Sequence, residues 1–147
     1  MVLAGATAEP KLAGVDAFGS GVVSEAFLAG FTHAGKKSWS RPLLAAGLPN
    51  AVAVTASQEI VVVAAHLPDV TTVSPSSSSD SIYLGKFAAT GTPVFEKELP
   101  FATGTRLYAL AVDGTGGIWL AGAQSNLDDF PNESMVLAKY DSTGKEL

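Results

Sequence analysis

Short apolar runs separated by polar turns recur along the whole chain, and three of them share one pattern. Met1-Val-Leu-Ala-Gly-Ala6, Ile60-Val-Val-Val-Ala-Ala65 and Ile118-Trp-Leu-Ala-Gly-Ala123 begin 59 and 58 residues apart. A second apolar run follows each: Ala26-Phe-Leu-Ala-Gly-Phe31, Ile82-Tyr-Leu-Gly-Lys-Phe87 and Met135-Val-Leu-Ala-Lys-Tyr140, every one ending in an aromatic. Runs this short, rich in β-branched residues and bounded by Gly, Pro and Ser, predict strands rather than helices. Leu43-Leu-Ala-Ala-Gly47 is the piece where a short turn of helix competes with strand.

Four residues beyond Phe31, Phe87 and Tyr140 stands a glycine, in Thr32-His-Ala-Gly35, Ala88-Ala-Thr-Gly91 and Asp141-Ser-Thr-Gly144. A glycine fixed at that spacing predicts a short hairpin needing positive φ. The segments that follow, Lys37–Arg41 and Pro93–Lys97, alternate polar residues around Trp39 and Phe95, the pattern of half-exposed outer strands. Ahead of the second and third apolar runs lie Ala51–Val54 and Ala109–Val112, small-residue strands suited to a crowded axis. One unit is thus an inner strand, a turn, an apolar strand, a variable loop, a second apolar strand, a glycine turn and an outer strand. The units cover approximately 1–49, 50–107 and 108–147. The first lacks an inner strand and the third stops where its outer strand begins.

The third unit, Ala109-Leu-Ala-Val-Asp-Gly-Thr-Gly-Gly-Ile-Trp-Leu-Ala-Gly122 with Asp129-Phe-Pro131 and Met135-Val-Leu-Ala-Lys-Tyr-Asp-Ser-Thr-Gly144, resembles the bacterial β-propeller repeat family sometimes called SBBP. The second unit departs from it at Ser57-Gln58-Glu59. The resemblance implies an all-β fold of four-stranded antiparallel blades around a channel, here about two and a half to three blades of an incomplete propeller. It also implies an exported or cell-surface protein. Fold alone does not settle function, because propellers carry lectins, scaffolds and enzymes alike.

Composition narrows the chemistry. The chain has 147 residues, is 47% hydrophobic and 16% charged, and carries a net charge of −5. Its nine Lys and Arg are scattered, which argues against a nucleic-acid surface. No apolar stretch reaches the length of a membrane span and no leader is legible at the start. The absence of cysteine leaves the redox compartment open.

With two histidines and no cysteine, candidates for metal or nucleophilic chemistry are few. His33 falls in a glycine turn where the other units have Ala89 and Ser142, so it reads as a loop residue. His66 closes an apolar strand where the third unit has Gln124, a polar rim position open to ligand contact. Asp113-Gly-Thr-Gly-Gly117 offers one carboxylate, too few for calcium, and its glycines lead into a strand, which excludes a phosphate cradle. Asp128 and Asp129 sit in an acidic, amide-bearing loop whose counterpart is the serine-rich stretch from Asp69 to Asp80.

Trp119 and Tyr108 are the aromatics to weigh for sugar stacking, although Trp39, Tyr83, Phe95 and Trp119 occupy repeat-equivalent strand positions that suit packing between units. The expected function is a non-catalytic binding or scaffold module presenting variable loops to a protein or glycan, with no cofactor, completed by further repeats or self-association. An architectural oligomer that closes a ring from several chains is the alternative. A propeller-type lyase is weaker: Asp113–Trp119 resembles streptogramin lyase repeats, but the two histidines have no matching partners.

Overall fold

A computed structural model of the chain describes residues 1–7, 25–66, 81–102, 104–125 and 133–147. Among them are nine strands and no helix, every neighbouring pair antiparallel. They are β1 (Val2–Thr7), β2 (Glu25–Phe31), β3 (Lys37–Val54), β4 (Ile60–His66), β5 (Ile82–Phe87), β6 (Pro93–Leu99), β7 (Thr105–Val112), β8 (Ile118–Ser125) and β9 (Glu133–Tyr140).

The strands fall into three sheets, one per unit. β1, β2 and the first half of β3 make the first; the second half of β3 with β4, β5 and β6 makes the second; β7, β8 and β9 make the third. Because β3 is continuous, the first two sheets share one order, β1-β2-β3-β4-β5-β6. The stretch Leu43–Gly47, where helix competes on composition, lies inside β3. β-Strand wins there because Leu43 is buried in the core between sheets while its neighbours pair with β2 and β4. β3 also crosses the boundary drawn between the first two units, so the outer strand of one unit runs on as the inner strand of the next. The inner strands prove longer than the small-residue motifs, pairing from Gly47 and from Thr105.

Turn chemistry explains the hairpins. Gly35, Gly91, Gly116 and Gly144 all take positive φ, and Gln58, at φ 64°, holds the same turn in the second unit without a glycine. An L residue there costs roughly 1–2 kcal/mol. The third sheet has the start of an outer strand, with Glu146 bridged to Tyr140 and the Leu147 N–H donating to the Lys139 carbonyl.

The core lies between sheets, not within one. Ile60, Val62, Ala64, Tyr83 and Phe87 of the second sheet pack on Ala26, Leu28 and Leu43 of the first. From its opposite face Val61, Val63, Ile82, Leu84 and Leu99 pack on Leu107, Ile118, Leu120 and Tyr140 of the third. Successive side chains of a strand point to opposite faces, so a strand as apolar as β4 is from Ile60 to Ala65 belongs in a sheet covered on both sides. Each Val or Leu taken fully from water there contributes roughly 1.5–3 kcal/mol.

Candidate functional site

The contact from the first sheet to the second is repeated from the second to the third. In the first, Trp39 lies on the glycine turn of the second sheet: its indole N–H donates to the Ala89 carbonyl at 3.1 Å, and its ring covers Gly91. Two residues on, Arg41 donates to the Gly91 carbonyl at 3.0 Å and stands 4.9 Å above the Phe87 ring. In the second interface Phe95 covers Gly144, Lys97 donates to the Gly144 carbonyl, and its ammonium stands 5.2 Å from the Tyr140 ring. Phe87 and Tyr140, the aromatics that end the second apolar runs of the second and third units, are therefore seats for the preceding unit's cation. Gly91 and Gly144 beyond them serve twice, since each takes positive φ and leaves room for the preceding unit's aromatic.

Three further groups join these interfaces. Lys86 reaches from the second sheet to the Ser142 carbonyl at 3.1 Å and pairs with Glu59 at 2.8 Å, which holds the Glu59 carboxyl below its usual range. Glu96 accepts from Arg41 at 3.2 Å and from the Tyr83 hydroxyl, and burial raises the Tyr83 phenol well above its ordinary value. Asn50 is skipped by the β3–β4 ladder between Pro49 and Ala51. Its amide donates to the Leu107 carbonyl of the third sheet at 3.0 Å and accepts from the Ala65 N–H at 2.8 Å. Composition singles out none of Arg41, Lys97, Lys86 or Asn50. The available signal was the recurrence of a cation two residues after Trp39 and again after Phe95.

The aspartate turns are structural. Asp113 Oδ1 accepts from the Thr115 N–H, the Thr115 hydroxyl and the Gly117 N–H at 2.7–2.9 Å, and Oδ2 accepts from the Trp119 indole at 3.2 Å. Asp141 repeats the device with the Thr143 N–H, the Thr143 hydroxyl and the Lys145 N–H. These donors, the threonine hydroxyl foremost, hold both carboxyls below the usual carboxylate range. A carboxylate whose oxygens already face N–H and O–H donors presents little to a cation. Among the described residues no three His, Cys, Asp or Glu gather as a metal set.

Of the residues singled out from sequence, two share one face. Trp119 and Tyr108 belong to the third sheet, on the face turned away from the second. Trp119 is half-buried, with the Lys139 ammonium 4.6 Å from its ring. Tyr108 is skipped by the β7–β8 ladder as Asn50 is by its own, and is 61% exposed. Ala109, Ala111, Ala121, Met135 and Leu137 complete the face, with Met135 and Leu137 exposed. His66 is the last residue of β4, paired in register with Gly47, away from that face. Asp128 and Asp129 lie outside the described residues, as does the loop from Asp69 to Asp80.

No protein-family model matches the chain, and no curated protein matches it in sequence. No helix among the described residues is long and apolar enough to cross a membrane.

Proposed function

We propose that the chain is a non-catalytic scaffold module of propeller type, whose sheets are successive blades and whose working surfaces are its faces and loops. One observation carries this reading: the same aromatic, cation and glycine-turn contact joins the first sheet to the second and the second to the third. A contact that repeats with the sequence is a rule for adding units, as expected of a repeat architecture stabilised by nearest-neighbour interfaces. The cations and carboxylates described above are engaged with neighbouring sheets and turns rather than converging on a cavity, which suits a scaffold.

The rule is tested by removing its cation in each interface. Arg41→Ala and Lys97→Ala should each lower the stability of the chain in chemical denaturation, and their effects should add, since they act in separate interfaces. Stability unchanged by both variants would overturn the reading.

A glycan-binding reading rests on Trp119 and Tyr108 sharing one partly open face with Lys139. Titration with oligosaccharides, followed by Trp119 fluorescence, separates it from the scaffold reading. Saturable quenching that Tyr108→Ala weakens would favour the glycan, and an unchanged spectrum would favour the scaffold.

A further inference from the structure

The second unit departs from the third at Ser57-Gln58-Glu59, where the third has Thr115-Gly116-Gly117. Each of the three residues has a task in the fold. Gln58 takes the positive φ of the turn, at 64°. The Ser57 hydroxyl, 2.8 Å from the Thr55 hydroxyl, donates to the Glu59 carboxylate at 3.0 Å. Glu59 in turn stands 2.8 Å from the Lys86 ammonium. Gly117, at the same place in the third unit, has no side chain with which to form such a pair.

Lys86 lies between two sheets. On β5 it pairs in register with Val61 of β4 and Phe95 of β6, on the face that packs on the third sheet. Its side chain is 6% exposed, against 30% for that of Glu59. Across the joint its ammonium donates to the Ser142 carbonyl at 3.1 Å, in the turn that Asp141 shapes and that Lys97 also grips. The other charged groups about the joint are Lys97 on β6, Asp141 and Lys145 in that turn, Glu146 bridged to Tyr140, and Asp113 in the adjoining turn, where Gly116 lies against Ser142. Asp113 and Asp141 are taken up by donors of their own turns. Glu59 is the acid that balances the buried charge of Lys86.

A buried ammonium is costly without an opposite charge, and removing one partner of a buried pair destabilises more than the intact pair contributes. We propose that Glu59 and Lys86 form an acid-sensitive latch between the second and third sheets: protonation of Glu59 leaves Lys86 charged and unbalanced, and the third sheet loosens while the first and second stay joined. The joint between the first and second sheets is held otherwise. Arg41 there also has an acid partner, Glu96, but its side chain is 25% exposed, so water shares its charge, and Trp39 donates to Ala89 without any charge. Pairing with Lys86 holds the Glu59 carboxyl below its ordinary value of 4.5. The latch therefore contributes stability that is fully present above that value and is lost as pH falls through the lower, folded one. It needs only that the two sheets stack, and not that they are blades of a propeller.

The test is hydrogen–deuterium exchange of the 147-residue chain at neutral pH, read strand by strand. Glu59→Gln, which imitates the protonated acid, should speed exchange in β7, β8 and β9 by about fivefold or more and leave β1 and β2 at the wild-type rate. Adding Lys86→Met, which removes the stranded charge and keeps an apolar side chain of similar length, should restore slow exchange in the third sheet. In the wild type, protection factors should fall in the same three strands as pH drops below 4.5, and the double variant should lose less. Exchange unchanged by Glu59→Gln, acceleration spread equally from β1 to β9, or failure of Lys86→Met to rescue would each overturn the latch. None of these outcomes touches the aromatic and cation contacts on which the scaffold reading rests, which Arg41→Ala and Lys97→Ala test separately.

Discussion

Leu84 and Leu137 are the same residue at the same place in successive units, each on the second apolar strand, three residues before the closing aromatic. The first is fully buried and the second largely exposed. Their strands differ in pairing, with β5 between β4 and β6 and β9 last in its sheet. Among the described residues the second sheet packs on a sheet at each face and the third at one, so burial here depends on the stack as well as on the residue. For a repeat architecture this means that a sheet's stability depends on how many neighbours it has.

The largest test of that contrast is truncation of the two leucines, with unfolding followed by chemical denaturation. Leu84→Ala should cost about 2–5 kcal/mol, the range for removing a buried leucine side chain. Leu137→Ala should stay within about 0.5 kcal/mol, as exposed substitutions do. Equal costs would break the comparison.

The glycine turns give a smaller contrast. Gly91→Ala must place an L residue at φ +82° and push aside the Trp39 ring, so a loss of roughly 2 kcal/mol or more is expected. Gly35→Ala meets the backbone strain alone and should cost about 1 kcal/mol. The difference between them measures the contact made by the preceding unit. In the opposite direction, Gln58→Gly should stabilise the second sheet by about 0.5–1 kcal/mol, because it relieves the same left-handed conformation and gives back part in chain entropy.

The smallest effect concerns acid. Asp113 and Asp141 are held below their ordinary value of 3.8 by the donors of their turns. A carboxyl with a depressed folded pKa contributes stability that is fully present above its unfolded pKa and is lost as pH falls through the folded value. Stability should therefore decline from about pH 4 downward. Asp113→Asn should flatten that decline, and the first sheet, whose turn is built on Thr32, should be the least sensitive. Thermal unfolding across an acid series would check both.

The strands and turns were legible in the sequence because their signals are local. An alternation of apolar residues, or a glycine four positions beyond an aromatic, is set by neighbours a few residues away. The four-stranded antiparallel unit was also legible, and it is complete in the second sheet. Which sheet faces which was harder to read, since Trp39 and Arg41 meet Ala89 and Gly91 some fifty residues later. Nothing local marks Lys97 or Asn50 either, because their partners lie on another unit. Tyr108 and Trp119 were singled out as aromatics, and the structure adds that they share a face with Met135 and Leu137. That shared face, rather than either ring alone, gives the pair its significance.

Hydrogen–deuterium exchange tests the central claim most directly, because it reads each strand's local stability. The account predicts a graded pattern: slowest exchange in β4 and β5, which have a sheet on either side, and faster exchange in β1 and β9. Exchange in β9 as slow as in β5, or in β4 as fast as in β1, would contradict it.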